Sequence, residues 1–399
     1  MSIVNALVEI FQDSGFLSLD LRNWIMIAVS FVLLYMAIVK KFEPLLLLPI
    51  AFGMLLVNIY PDIMYDPLML SSYEGEIVEG AHWYDTGVLR LIYSGVKSSI
   101  FPCLIFLAIG AMTDFGPLLA NPISLLLGAA AQLGIYVAFM IAILSGNLPF
   151  FEGFTPQEAA SIAIIGGADG PTAIWLTSQL APQLLGPIAV AAYSYMALIP
   201  LIQPPVMRLL TTKKERLIRM PYEQKEVTKM TRILFPIIVT MIVGIVAPRA
   251  LALIGFLMFG NLIRECGVLN SLSETAQKVL ANLITLLLGI TIAARMQAEA
   301  FLNPQTLLIL ALGLVAFIFD TAGGVLFAKF LNLFLKTKIN PMIGASGISA
   351  FPMSARVVHK MGLAEDKQNF LLMHSIGVNV SGQIASVIAG GLILNLIAR

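Results

Sequence analysis

Stretches of about 16 to 25 residues almost free of Lys, Arg, Asp and Glu recur along the chain, the length a helix needs to cross about 30 Å of hydrocarbon. They fall at 24–39, 43–59, 97–113, 122–144, 183–207, 233–247, 249–263, 279–294, 305–331 and 370–398, and each predicts a spanning helix. Two further apolar stretches, 156–180 and 340–360, are interrupted at their centres by Gly, Pro and small polar residues. Backbone freed from helix at membrane depth survives only where protein or a water-filled cavity satisfies it, so each of these predicts a re-entrant hairpin. Ahead of the first span, Val4, Leu7, Val8 and Phe11 fall at helical spacing, while Glu9, Asp13 and Asp20 exclude the basic start of a signal peptide. Residues 1–23 therefore read as an amphipathic helix lying at the interface.

Composition agrees. Of 399 residues 58% are apolar and 12% charged, against the quarter to a third of charged residues on a soluble surface, and the mean hydropathy is +0.90. This excludes an ordinary soluble protein and makes the chain polytopic. Cys103 and Cys266 lack CxxC spacing, and His82, His359 and His374 are scattered, so neither a disulfide framework nor a zinc site is expected. Phosphate-binding glycine loops are missing, and basic residues beside a bilayer are explained by topology and headgroups rather than by nucleic acid.

The net charge of +1 decides little; its distribution decides orientation. Placing the 208–232 connection in the cytoplasm puts Arg208, Lys213, Lys214, Arg216, Arg219, Lys225, Lys229 and Arg232 inside. Lys40, Lys41, Arg264, Lys278, Lys336, Lys338, Arg356, Lys360 and Lys367 join them, 17 of the 24 basic residues. The acidic 60–90 loop then lies outside, with both termini.

The broken segments repeat one another. Gly167-Ala168-Asp169-Gly170-Pro171-Thr172-Ala173 and Gly344-Ala345-Ser346-Gly347-Ile348-Ser349-Ala350 share Gly, Ala, Gly and Ala at matching positions, and Thr172 faces Ser349. Asn121-Pro122 recurs as Asn303-Pro304, and Asn58 as Asn261, in the same order. Residues 24–207 cross in the opposite sense from 233–399, so the fold expected is all-α, with two inverted-topology repeats, each with a broken hairpin, joined by the basic linker 208–232. Broken segments at corresponding places in such halves point to a midplane substrate and ion site.

Several residues there have chemistry to offer. Asp169 follows a helical arm of about 18 Å, which carries its carboxylate past mid-membrane, where an ionisable group costs at least about 2.5 kcal/mol. An N-cap for the second arm would explain an Asp before Pro171, but Ser or Asn would cap at lower cost. A hard oxygen among carbonyls freed by glycines suits Na⁺. Ser349 offers a hydroxyl ligand, a proton relay or merely close packing; Asn340 offers a cap or a ligand. Arg356 has the fork that binds a carboxylate or carbamate through two hydrogen bonds, with a topology charge as the alternative. Tyr195 and Asn379, inside the spans after each hairpin, face protein, as site groups or as interhelical glue. For Asp320 an ion-site role and structural pairing, with Lys329 as partner, both stay open.

Gly166-Gly167-Ala168-Asp169-Gly170-Pro171-Thr172-Ala173-Ile174, with Asn340-Pro341-Met342-Ile343-Gly344-Ala345-Ser346-Gly347 and Asn379, closely resembles the membrane-embedded β-subunit of the biotin-dependent, sodium-pumping decarboxylases. That group acts on oxaloacetate, methylmalonyl-CoA, glutaconyl-CoA or malonate, and the resemblance leaves the acyl substrate open. It implies a transporter-like fold in a bacterial inner membrane, decarboxylating carboxybiotin, consuming a proton and exporting Na⁺. It further implies Na⁺ ligands at Asp169, Asn379, Ser349, Asn340 and Gly344. Catalytic roles go to Tyr195, Ser349 and Arg356, with Arg356 facing carboxybiotin. The partners implied are a carboxyltransferase subunit, a biotin-carrier subunit, a small membrane subunit and further copies of the chain. The competing reading is a secondary Na⁺/carboxylate symporter in which Arg356 grips a soluble substrate.

Overall fold

The computed structural model describes residues 19–41, 44–64, 85–147, 153–220, 227–293, 296–302 and 304–397. Most of the expected interfacial helix and of the acidic loop lies outside these residues. Every regular element described is helical. In chain order the principal helices are α1 (Leu21–Ile38), α2 (Pro44–Ile59), α3 (Val88–Lys97), α4 (Ile100–Met112), α5 (Ile123–Ala131), α6 (Leu133–Leu144), α7 (Pro156–Ala163) and α8 (Gly170–Leu180). There follow α9 (Leu185–Leu210), α10 (Lys229–Val246), α11 (Leu251–Cys266), α12 (Ala281–Ile292), α13 (Pro304–Phe334), α14 (Met353–Glu365) and α15 (Leu372–Ile397).

The expected spans are present within a few residues. Six helical stretches are long and apolar enough to cross a membrane, or eight with two bent pairs, among the described residues. α2 and α11 have 16 residues each, about 24 Å of helix, which falls short of the hydrocarbon thickness. Two expected spans are not regular throughout: 183–207 bends by 65° between Met196 and Leu198, and 122–144 is interrupted at Gln132, whose ψ of 4° ends α5 and starts α6. Several helix starts are set by side-chain caps. Asp20, Thr155 and Thr228 each accept a hydrogen bond from an N–H of the first turn, which satisfies a donor that the helix itself leaves open.

Burial separates lipid-facing from central helices. α10 has 11% of its span buried and exposes Leu234, Ile237, Ile238, Met241, Ile242 and Ile245, whereas α15 has 67% buried. An apolar surface of that size belongs in lipid or against another membrane chain.

Contacts divide the chain into two compact units, each discontinuous in sequence and each drawing on both halves of the chain. The first comprises residues up to 101 with 185–187 and 282–307; the second comprises the remainder. In the first unit α1 packs along α2, and the buried amide of Asn58 donates to the carbonyl of Met296 at 2.8 Å. In the second unit α4 and α11 cross backbone to backbone. A Cβ on Gly110 would stand 1.8 Å from the carbonyl oxygen of Leu257, and one on Gly260 would stand 2.0 Å from that of Leu107. Beside that crossing Asn261 donates to the carbonyl of Thr113 at 3.2 Å.

Also in the second unit, the basic connection folds against the ends of α13 and α14. Arg216 pairs with Glu365 at 2.8 Å, Arg219 with Asp366 at 2.5 Å, and Lys329 with Glu215 at 3.2 Å. The hydrogen bond from Arg219 holds the Asp366 carboxyl below its ordinary range. Its contribution to stability is therefore complete above about pH 3.9 and is lost as pH falls through the lower folded-state value. Replacing Asp366 by Asn should lower the melting temperature slightly at pH 7 and not at all in strong acid, as fits an exposed pair. An equal difference at both pH values would remove Arg219 as the cause.

Candidate functional site

The site is built where two hairpins meet. Hairpin one rises as α7, opened by Thr155 and Glu158 in a reciprocal capping box, and passes through a 3₁₀ turn at Ile164–Gly167. It returns as α8, and Gln183 beyond α8 donates to Glu158 at 3.1 Å, so both feet stand on the same side. At its apex Ala168 adopts the left-handed conformation with φ 51°, which costs a residue with a Cβ about 1–2 kcal/mol. Strain of this kind persists only where the surroundings enforce it.

Hairpin two rises as a 3₁₀ turn, Pro341–Gly347, and returns as α14. Its feet also meet: the amides of Asn340 and Asn369 donate to the same carbonyl, that of Arg216, at 2.9 and 3.0 Å. The apices touch, Ser349 N–H donating to the carbonyl of Gly167 at 2.9 Å.

Around the opened backbone of hairpin two, side-chain amides donate to four consecutive carbonyls. Gln203 donates to Ala345 O at 2.8 Å and Gln132 to Gly347 O at 3.2 Å. Asn379 donates to both Ser346 O, at 3.0 Å, and Ile348 O, at 2.6 Å. These bonds anchor the opened backbone to α9, α15 and the break between α5 and α6. The oxygens of the Asn379 and Gln132 amides, that of Gln383 and the Ser346 hydroxyl are buried with no hydrogen-bond partner among the described residues.

Asp169 caps α8 and does more. Its Oδ1 accepts Thr172 N–H at 3.3 Å, while Oδ2 accepts the hydroxyls of Thr172 at 2.6 Å and Ser386 at 3.0 Å. Ser349 stands 2.8 Å from the Ser386 hydroxyl and donates to Gly382 O at 3.0 Å. A cavity of about 230 Å³ opens here, lined by Asp169, Ser349, Gln383, Met196 and Phe106 among others. No basic side chain pairs with Asp169 among the described residues, so its charge is met only by dipoles. A larger cavity of about 590 Å³ lies by Lys336, Lys338 and Asn121 and contains none of these groups.

The structure thus brings Asp169, Ser349 and Asn379 to one crossing. Tyr195 lies off it: its hydroxyl donates to Leu310 O at 2.5 Å, its ring against Phe317. Tyr193, two residues earlier, packs instead over Gly170, where a Cβ would stand 2.2 Å from its ring. Asn340 is at the foot, capping Met342 N–H with its oxygen at 3.1 Å and spending its amide on Arg216 and Ile218. Gly344 packs against Gly324 of α13, while Arg356 is exposed on α14 and makes no ion pair among the described residues. The pairing of Asp320 with Lys329 is absent, because Lys329 turns to Glu215 and to Leu210 O at 3.0 Å. Sequence reasoning missed Ser386, Gln383, Gln203 and Gln132. The signal for the first two was the stripe Asn379, Gln383, Ser386, spaced four and three residues apart on one face of an apolar helix.

Comparison with known proteins adds the family. Residues 22–397 match the family described as Na⁺-transporting oxaloacetate decarboxylase beta subunit. The chain is 52% identical to the methylmalonyl-CoA decarboxylase subunit beta of Propionigenium modestum, over 99% of this chain and 100% of that one. It is 49% identical to the glutaconyl-CoA decarboxylase subunit beta of Acidaminococcus fermentans, over 99% of each. With the oxaloacetate decarboxylase beta chain of Klebsiella pneumoniae the identity is 48%, over 100% of this chain and 99% of that one.

Proposed function

Because the chain belongs to the family of β-subunits of Na⁺-transporting decarboxylases, we propose that it takes carboxybiotin from a partner subunit, releases CO₂ and moves Na⁺ outward across a bacterial inner membrane. The observation that carries the proposal is Asp169: a carboxylate buried at the hairpin crossing, beside a cavity, with hydroxyl partners and no basic one. Na⁺, the cargo, is a hard cation that prefers oxygen. The crossing supplies Asp169, Ser349 and Asn379, and we add Ser386 and Gln383 to that set. In this conformation Asn340 and Gly344 serve the cargo by holding hairpin two in place.

Carboxybiotin loses CO₂ as its N–C bond breaks, the electron pair staying on the ureido nitrogen, which takes up a proton. The guanidinium of Arg356, without an ion pair among the described residues, is suited to hold the carboxylate, and the hydroxyl of Ser349 at the crossing is suited to serve the proton, with Tyr195 reaching it only if it leaves Leu310 O. Pumping requires Na⁺ occupancy and decarboxylation to favour different hairpin positions, since a ligand shifts an equilibrium only by its differential affinity. Each charge moved outward costs about 2.3 kcal/mol per 100 mV.

The inverted repeat is supported by an exchange of partners: Asn58 of the first half reaches Met296 of the second, while Asn261, its counterpart, reaches Thr113 of the first. The carboxyltransferase, biotin-carrier and small membrane subunits complete the complex, and the exposed apolar face of α10 suits another copy of the chain or lipid.

Two measurements test this reading. In vesicles holding the assembled complex, uptake of labelled Na⁺ should require the biotinylated carrier; uptake driven by a free carboxylate without it would make the chain a symporter. Replacing Arg356 by Lys should lower decarboxylation by at least about tenfold, because a point charge does not reproduce the two-pronged guanidinium. Full turnover with Lys would reduce Arg356 to a local positive charge.

A further inference from the structure

Asp320 lies midway along α13 with its side chain wholly buried, and nothing above gives it a task. Its two oxygens lie over two glycines. Oδ1 accepts Ile135 N–H at 3.2 Å, at the start of α6, and lies 2.5 Å from where a Cβ on Gly134 would stand. Oδ2 lies 2.5 Å from where a Cβ on Gly166 would stand, and no donor among the described residues reaches it. Gly166 belongs to the 3₁₀ turn of hairpin one, so that turn rests directly on the carboxyl.

Among the described residues no charge answers it. Lys329, on the same helix, is bound to Glu215 and Leu210 O. On the elements packed around it, Asp169 is engaged by Thr172 and Ser386, the Tyr195 hydroxyl by Leu310 O, and the Gln132 amide by Gly128 O and Gly347 O. Tyr136 of α6 is exposed and on another face. An ionised Asp320 would hold charge on an oxygen facing carbon, which costs far more than a neutral hydroxyl without an acceptor. The fit against Gly166 also leaves no room for the several oxygens that a metal ion gathers.

We propose that Asp320 is a proton-binding site at membrane depth, which carries its proton on Oδ2 while hairpin one packs against it and, when the turn at Gly166 moves off, gives that proton to water admitted to Oδ2 and takes one back from water. The proton site stands on this geometry alone. Its part in pumping rests on the function proposed above, where decarboxylation consumes a proton and the hairpins move.

Infrared spectroscopy of the purified full chain separates the two. Asp169 and Asp320 are the only buried acids among the described residues. At neutral pH the carbonyl-stretch band of a protonated carboxyl, shifted by D₂O, should persist in Asp169→Asn and vanish in Asp320→Asn. Absence of the band from Asp169→Asn overturns the proton site, and this arm decides even where Asp320→Asn does not accumulate. In the assembled complex Asp320→Asn should lose turnover by at least about tenfold while its Na⁺ half-saturation stays within about twofold. Wild-type turnover and pH dependence in that variant would overturn the exchange, leaving the reading of the Asp169 site untouched; a changed Na⁺ half-saturation would make Asp320 a cation ligand instead of a proton carrier.

Discussion

Asp169→Asn is expected to give a chain that inserts and folds yet no longer responds to Na⁺. Asn keeps the shape and, through its oxygen, the bond from Thr172 N–H that starts α8. It also removes the cost of holding a charge at depth, so the melting temperature should hold or rise. What disappears is the one charged oxygen at the crossing, the group that outweighs every neutral ligand there in attracting a cation. Na⁺ activation of CO₂ release by the complex should fall by at least about a hundredfold, on the order of 3 kcal/mol of lost interaction. Near-normal Na⁺ activation in a folded Asn variant would sink the assignment of Asp169 and leave it a helix cap.

The second large effect concerns packing. A Cβ on Gly344 would stand 2.0 Å from the carbonyl oxygen of Gly324, and one on Gly324 equally close to that of Gly344. Backbone on both sides leaves no flexible side chain to give way, so Gly344→Ala must push hairpin two off α13 by about 1 Å. That shift is shared by Ser346 O, Gly347 O and Ile348 O, which the amides of Asn379 and Gln132 hold at close distance. Decarboxylation should be abolished and the melting temperature lowered by several degrees, as for a destabilisation of about 2–3 kcal/mol. Gly255→Ala on α11 is the control. Nothing lies within 4 Å of its Cβ, and inside a helix Ala gains roughly 0.5–1 kcal/mol over Gly. Wild-type activity in Gly344→Ala would show that the hairpin does not need this contact.

The two hairpins were legible because Gly, Pro and small polar residues interrupt runs of apolar ones, and a bilayer tolerates such interruptions only inside protein. Asp169 was legible for the same reason, as a charge where charge is expensive. The amides that satisfy the opened carbonyls were less so. Gln132 and Gln203 are lone amides in apolar surroundings, and which carbonyl each meets depends on segments distant in sequence. The break at Gln132 had no Gly-Pro signature; it is held by Gly347 O and by Asp320 from two other elements. Tyr193 and Tyr195 look alike in sequence, but two residues along a helix turn them to different faces, so only packing shows which lies over Gly170. The separation of the chain into units that mix its halves likewise follows from long-range contacts such as Asn58 with Met296.

Both feet of hairpin two hang from the Arg216 carbonyl, and this limits how the hairpin can travel. Sliding along the membrane normal would break both bonds and the ion pair of Arg216 with Glu365 together. Tilting breaks none of them. With 13 residues in α14 the hairpin is a lever about 20 Å long pivoting at its base, and a tilt of about 10° sweeps its tip through about 3 Å. A stroke of that length parts Ser349 from Gly167 and from Ser386, while the fulcrum at Arg216 stays intact. Release of the tip therefore turns on a small set of hydrogen bonds, these two together with those that Asn379, Gln132 and Gln203 give to the opened carbonyls.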